Sequence, residues 1–347
     1  MMDAPLCRNL SEVRSLAQAM DRAQVENYEM RIPQDLKDRH NVVGIAQAVR
    51  FGACRAFHAA IGADKKGKEL LLRVRLTWRP GVRVARAVAE DRTEELSVDE
   101  MQILQKARRI LPKDILSWPE IERERWIHDW LCKNIVYRGA ADELSDNIYD
   151  RNCSAIGAML DGQANCQGYS DAFYMLGSLA GLTVNIQIGS ERSPHAWNVI
   201  RLGGRWYILD VTFNDSASEP LGVPFYHVFN VPITHVKGLR DWDRGSASVP
   251  VTETSEEMLF HHRWACVSDD WKTLARYCAE QARKGEKFAW GLYTGGDCTD
   301  ECKEFRAALH ELVPAKHDNF ATYPRNRNGR CYILVQWNEE KPKQGKK

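Results

Sequence analysis

The sequence has no long apolar run and no excess of one charge. No uncharged apolar stretch approaches the roughly 20 residues that a membrane-spanning helix needs, and the N-terminal segment lacks the apolar centre of a signal peptide. The formal net charge is +1, from 48 Lys and Arg against 47 Asp and Glu, and no aromatic–basic module typical of RNA-binding domains is present. We therefore expect a cytoplasmic protein that binds neither membranes nor nucleic acid.

The length of 347 residues favours two or three domains. We divide the chain into an N-terminal αβ module (residues 1–95), a central core (96–250) and a C-terminal αβ module (251–347). The order helix, strand, helix, strand is predicted for residues 11–79 and again for 271–337, so the two modules are expected to be similar. Ten cysteines suit a disulfide framework only in a small secreted domain, so we expect most of them to be reduced.

Cys166 precedes a strong helical pattern. Apolar residues follow it at three- and four-residue steps, which is typical of an amphipathic helix packed on a core; they include Tyr169, Ala172, Phe173, Leu176 and Leu179. Asp161 or Asn165 is a suitable cap for the start of this helix. Cys166 is then expected in the first turn, where the positive end of the helix dipole stabilises a thiolate.

His195 and Asp210 lie on a predicted hairpin. Its two strands are joined at Gly203-Gly204, a pair that suits a tight turn. In the register that pairs the residues flanking this turn, Thr212 lies opposite His195, and His195 and Asp210 share a face as diagonal neighbours, roughly 7–8 Å apart. The three residues form a candidate triad: a thiolate, a base, and a carboxylate that orients the base. The alternative is that the cysteine and the histidine are structural residues of the core.

The residues around this candidate triad resemble the transglutaminase-like superfamily, a branch of the papain-like cysteine enzymes. The matching pieces are Cys166-Gln167-Gly168-Tyr169, Ala180-Gly181-Leu182, His195-Ala196-Trp197-Asn198 and Trp206 to Thr212. The resemblance covers roughly residues 120–250. It implies an α+β fold with a papain/transglutaminase-like core, in which the nucleophile helix packs on an antiparallel sheet, flanked here by two small αβαβ modules.

The resemblance also implies residue roles. Cys166 corresponds to the nucleophile, His195 to the base and Asp210 to the orienting acid, while Gln163 is a candidate oxyanion donor and Trp197 a candidate substrate-binding residue. The implied activity is acyl transfer from protein or peptide amides through a thioester. A peptidase or amidase with the same triad, and a non-catalytic protein-binding scaffold, are the alternatives. No oligomeric state is predicted.

Other polar residues receive structural interpretations. The pair His128-Asp129 is interpreted as structural rather than as a second base, and Arg73, Arg75 and Arg79 as the solvated face of an edge strand. No cofactor or metal is expected. Cys298, Cys302 and His310 have helical ligand spacing, but a zinc site normally needs four ligands, and no acidic loop matches a calcium-binding hand. Residues 79–95 are predicted to form a hairpin return and a linker, and residues 225–231 a core strand.

Overall fold

The computed structural model of the protein describes residues 4–139, 151–190, 194–218, 224, 226–236, 249–254, 264–298, 302–314, 319–327 and 330–337. The chain forms two units. The first comprises Met1–Pro224 and Pro232–Glu253, and the second Phe225–Val231 and Thr254–Lys347. The division into three parts, with boundaries after residues 95 and 250, stays a prediction. No helix in the described part of the chain is long and apolar enough to cross a membrane.

The first unit begins with two helices and a three-stranded sheet. These elements are α1 (Leu10–Arg22), β1 (Asn27–Pro33), α2 (Gln34–Gly52), β2 (Ala56–Lys66) and β3 (Glu69–Trp78). The sheet is antiparallel with the order β1-β3-β2. The predicted order of helix, strand, helix, strand is present with one additional strand. This strand is β2, which forms because pairing with β3 outweighs the weak strand propensity of its small and charged residues.

The segment after β3 is helical. Its elements are α3 (Pro80–Ala89), α4 (Val98–Ile110) and α5 (Glu120–Asn134). The predicted hairpin return at 79–95 is therefore wrong: Pro80 occupies the first turn of α3, where its fixed backbone angle and missing N–H favour a helix start. Ser97 and Glu100 form a capping box at the start of α4, because they exchange both of its hydrogen bonds.

The centre of the first unit is a buried helix against a second antiparallel sheet. The elements are β4 (Val136–Tyr137), β5 (Gln163–Ala164), α6 (Cys166–Leu179), β6 (Thr183–Ser190), β7 (Pro194–Leu202), β8 (Arg205–Leu209), α7 (Val211–Ser218) and α8 (Ile233–Val236). Every residue from Gly168 to Gly177 is buried, because α6 packs against α3, α5 and α7 as well as against β6 and β7. The predicted α+β class, with this helix on an antiparallel sheet, is confirmed.

The hairpin of β7 and β8 has the predicted register near its turn, with Leu202 opposite Arg205. The predicted pairing of His195 with Thr212 is wrong, because β8 ends at Leu209 and Thr212 lies in α7. Asp210 is the residue between the strand and the helix.

The second unit contains a four-stranded sheet and two helices. The elements are β9 (Ala265–Ser268), α9 (Trp271–Arg283), β10 (Phe288–Tyr293), α10 (Lys303–Leu312), β11 (Phe320–Arg327) and β12 (Arg330–Trp337), with the sheet order β11-β12-β10-β9. Each flanking segment thus carries more strands than the predicted αβαβ module. The core strand predicted at 225–231 is wrong for its described residues, 226–231, which form turns and a single bridge residue.

The second unit also contains a cluster of sulfur atoms. Cys298 is bonded to Cys331 in a disulfide, and Cys302 Sγ lies 3.9 Å from Cys331 Sγ. The other cysteines of the chain are free thiols. His310, considered with Cys298 and Cys302 from its spacing, instead has its ring 4.5 Å from that of Phe320.

The contact of α3 with α6 leads to a prediction for Gly81→Ala. Gly81 N–H donates to Asp171 Oδ2 at 3.1 Å, and a Cβ at position 81 would lie 2.5 Å from the Asp171 carbonyl oxygen. Alanine is favoured over glycine in a helix by about 1 kcal/mol, but the clash with backbone outweighs this gain. We expect urea denaturation to show a free energy of unfolding lowered by about 1–3 kcal/mol.

Gly62→Ala is the matched control, because nothing lies within 4 Å of a Cβ at that position. Gly81→Ala protein as stable as the wild type would contradict this close packing of α3 on α6.

Candidate functional site

Cys166 is the first residue of α6, as predicted. The cap is Asn165 rather than Asp161: Asn165 Oδ1 accepts the N–H groups of Gln167 (2.9 Å) and Gly168 (3.4 Å). Asp161 pairs with Arg151 instead. This cap fixes the start of the helix and therefore the position of the thiol.

His195 lies between the thiol and a carboxylate. Its Nε2 is 2.7 Å from Asp210 Oδ2, and Cys166 lies near enough to the ring to raise the pKa of His195. Since Nε2 faces Asp210, Nδ1 is the ring nitrogen left for the sulfur. The structure thus brings together the three residues that the sequence predicted as a triad.

Asp210 is held from a second direction. Its side chain is 1% exposed, and Oδ1 accepts the N–H of Phe213 at 2.9 Å while the carbonyl accepts the N–H of Asn214. Asp210 therefore caps α7 with one carboxylate oxygen and binds the imidazole with the other. A carboxylate at a helix N-terminus is stabilised by the backbone dipoles.

The charge on Asp210 determines the protonation of His195. Burial by itself lowers the pKa of His195, but the negative charge and hydrogen bond of Asp210, together with the contact to Cys166, outweigh burial and raise it to about 9. His195 is consequently protonated at neutral pH.

Trp197 lies beneath the imidazole rather than in solvent. It is 4% exposed, and its ring stacks on that of His195 with centroids 5.9 Å apart. A Cβ on Gly189 would lie 2.5 Å from the indole, so glycine at this position makes room for the ring. The indole restrains the tilt of His195, and its predicted role in substrate binding stays a prediction.

Gln163 and Tyr137 lie on the short parallel strand pair, β4 and β5, that precedes Cys166. Gln163 is opposite Val136, and Tyr137 is opposite Ala164. Burial raises the pKa of the half-exposed Tyr137, and the charges of Cys166 and Asp210 raise it further, so the phenol keeps its proton near the thiol. The sequence reasoning assigned no role to Tyr137, and the role of Gln163 as an oxyanion donor stays a prediction.

The N-terminal segment forms one wall of the site. Cys166 and Phe51 pack against a small buried cluster made of Cys54, Ile188 and Ala196. Two of these five residues come from the segment that the sequence predicted as a separate flanking module. Contacts between residues so far apart in sequence leave no local pattern, and sequence reasoning missed them.

Two arginines contact Gln167, the residue after Cys166. Gln167 Oε1 accepts from Arg50 at 2.8 Å and from Arg79 at 3.1 Å. Arg79 is 0% exposed and also donates to the carbonyls of Cys54 and Cys153. Burial lowers the pKa of Arg79, and the nearby charge of Asp171 opposes this shift. The interpretation of Arg79 as a solvated edge-strand residue is wrong, and β3 is the central strand of its sheet.

A buried polar network holds α7 in place. His128 is 0% exposed; its Nδ1 is 2.9 Å from Asp129 Oδ1, and its Nε2 is 2.9 Å from Asn214 Nδ2. The Tyr169 hydroxyl lies 2.6 Å from Asp215 Oδ2. These contacts tie α5 and α6 to α7, the helix that Asp210 caps, and they agree with a structural interpretation of His128-Asp129.

Comparisons with known proteins point to one family. A family model described as the transglutaminase-like superfamily matches residues 113–211. The kyphoscoliosis peptidase of Homo sapiens is 29% identical over 124 residues, and that of Mus musculus 27% over 124 residues; each match covers 32% of this chain and 18% of the relative. The chain thus spans less than a fifth of the length of these curated relatives.

Among solved structures, a crystal structure of a TGase is similar with a TM-score of 0.27 and 12% sequence identity. The similarity covers 54% of this chain and 51% of that one.

The electrostatics of the site lead to a prediction for Asp210→Asn. Asparagine is as good a helix cap as aspartate, so α7 stays capped while the charge is lost. The pKa of His195 should then fall, because burial is no longer opposed by the carboxylate. An NMR pH titration of the His195 ring measures this shift. The control is Asp114→Asn, which removes the carboxylate of an exposed turn residue and should leave the pKa of His195 unchanged.

The same pKa predicts a pH dependence of stability. In the folded state the pKa of His195 is raised from 6.5 to about 9, so His195 stabilises the fold fully below pH 6.5 and loses this contribution as pH rises through about 9.

An unchanged His195 titration in Asp210→Asn would contradict the claim that the Asp210 carboxylate raises the pKa of His195.

Proposed function

Residues 113–211 belong to the transglutaminase-like superfamily, and on that premise we propose that the chain is a cysteine-dependent acyl-transfer enzyme acting on protein or peptide amides. One observation supports this proposal most: the ring of His195 lies between Cys166 and Asp210. Its Nε2 is 2.7 Å from Asp210 Oδ2, and Cys166 is near enough to raise the pKa of the ring. If Cys166 and His195 were purely structural, the imidazole would not need to be protonated or to be oriented by a buried carboxylate.

The proposed reaction starts from a thiolate–imidazolium pair. The Cys166 sulfur attacks the carbonyl carbon of an amide, and His195 gives its proton to the leaving amine, which leaves a thioester on Cys166. Asp210 keeps the ring oriented and stabilises the imidazolium. An acceptor then attacks the thioester: His195 takes the acceptor's proton, and the thiolate leaves.

The oxyanion of the tetrahedral intermediate needs donors beside Cys166. The Cys166 N–H is at the first position of α6, where backbone N–H groups have no partner within the helix. Removing one donor of this kind typically costs about 10²–10³ in rate. Gln163 is the second donor in our proposal, and Tyr137, a protonated phenol in the same region, is the alternative.

The acceptor determines the name of the activity. An amine acceptor gives amide exchange or cross-linking, and water gives hydrolysis of a peptide or a side-chain amide. Hydrolysis is the second candidate, since the curated relatives are named as peptidases.

The thiolate–imidazolium pair predicts selective reaction of Cys166 with iodoacetamide at neutral pH. We expect Cys166 to be alkylated faster than Cys132 and Cys153, which are largely or wholly buried free thiols, and we expect His195→Ala to remove this preference. Peptide mass spectrometry measures the rates, with His40→Ala, at an exposed position, as the control. Equal alkylation of the three cysteines in wild-type protein would favour a non-catalytic scaffold.

An activity screen tests the reaction itself. Wild-type protein is compared with Cys166→Ala for incorporation of a labelled amine into a glutamine-containing protein and for hydrolysis of a peptide library. We expect one of these activities, abolished in Cys166→Ala and lowered about 10²–10⁴-fold in His195→Ala. Activity that survives Cys166→Ala would refute the mechanism.

A further inference from the structure

A cavity of about 150 Å³ lies in the first unit, where the turn after α1, the end of β3, α3 and the segment after α3 meet. Its lining includes Gln24, Glu26, Trp78, Arg83, Arg86 and Arg92. A single water needs only about 10–15 Å³ of such space, so the cavity has room for a small organic molecule. None of these residues belongs to the candidate triad.

Trp78 contributes a donor without an acceptor. The residue is 5% exposed, and its indole N–H is buried with no hydrogen-bond partner among the described residues. A buried N–H left unpaired costs about 1–3 kcal/mol, and buried tryptophans usually find a partner. An acceptor atom in the cavity would remove this cost.

The arginines of α3 keep donors available. Arg83 pairs with Glu100 through Nε, and Arg86 pairs with Glu90 through Nε. The two terminal nitrogens of each guanidinium form no hydrogen bond with the described residues. Because Arg83 and Arg86 are three residues apart on one helix, their side chains lie on the same face. Guanidinium groups are the preferred protein partners of carboxylates.

We propose that this cavity binds a small monocarboxylate, such as an organic acid or the C-terminus of a peptide. Its carboxylate accepts from the Trp78 indole N–H and from the terminal nitrogens of Arg86. Glu26 and Glu95 line the cavity together with Arg83, Arg86 and Arg92. The charged lining therefore carries one net positive charge, which matches a ligand with one negative charge better than phosphate or a dicarboxylate. This proposal is independent of the proposed function of Cys166.

The test is isothermal titration calorimetry of the full chain with N-acetylglycine. N-acetylglycinamide, which has the same shape and no charge, and inorganic phosphate are the comparison ligands. We expect saturable binding of N-acetylglycine only. Trp78→Phe keeps a ring but removes the donor, and Arg86→Gln removes a guanidinium whose partner, Glu90, is also paired with Arg92. Each variant should weaken binding ~10–100-fold, the range expected for losing a hydrogen bond to a charged group.

Two control variants separate loss of the site from general effects. Trp118→Phe removes an indole that donates to Asp114, and Arg108→Gln removes an arginine in the last turn of α4; both should bind as the wild type does. If Trp78→Phe fails to fold, Arg86→Gln still tests the site. No saturable binding, equal binding of the amide or phosphate, or unchanged binding in a folded Trp78→Phe or Arg86→Gln protein would overturn the proposal.

Discussion

The burial of α6 on all sides is the constraint on which the rest of the structure depends. A helix surrounded by three other helices and a sheet needs positions without a side chain where neighbouring backbone comes close. A Cβ at Gly168 would lie 2.4 Å from the Asn152 carbonyl oxygen, and one at Gly177 would lie 2.9 Å from Val184 Cγ2. The helix is therefore fixed in rotation and along its axis, and Cys166 at its first residue is fixed with it.

The charges of the candidate site depend on a second helix. Cys166 begins α6 and Asp210 caps α7, so each acidic group has the positive end of a helix behind it. The imidazole lies between them as the shared cation. The His128–Asn214 and Tyr169–Asp215 contacts hold α7 against α5 and α6. The geometry of the site is thus a property of helix packing as much as of the three side chains themselves.

Local patterns predicted the central elements well. The apolar stripe after Cys166 placed α6, the paired glycines placed the turn of β7 and β8, and side-chain parity placed His195 near Asp210. The prediction failed where a residue has more than one local meaning. Residues 79–95 are predicted to start as a hairpin return, yet Pro80 begins a helix there. Thr212 is predicted to continue the strand, although α7 begins just before it and is capped by the Asp210 carboxylate.

Contacts between distant segments were beyond sequence reasoning. The alternation of Arg73, Arg75 and Arg79 predicted one exposed face, yet Arg79 lies after the strand ends and is buried against Gln167. Similarly, Phe51 and Cys54 approach Cys166 because the N-terminal segment shares an apolar cluster with Tyr174 and Ile186 and because α2 contacts β6. Neither fact follows from the periodicity of a single segment.

The wall formed by the N-terminal segment changes what counts as the minimal protein. Similarity to the family spans residues 113–211, but a fragment cut at those limits would lack Phe51 and Cys54 and leave the Gln167 carboxamide without both of its arginine donors. The apolar cluster of N-terminal and central residues, which includes Met30, Tyr174 and Ile186, would also open to water. The segment shared with the family and the folding unit therefore have different boundaries, and recombining this segment with other domains would require the N-terminal wall to be included.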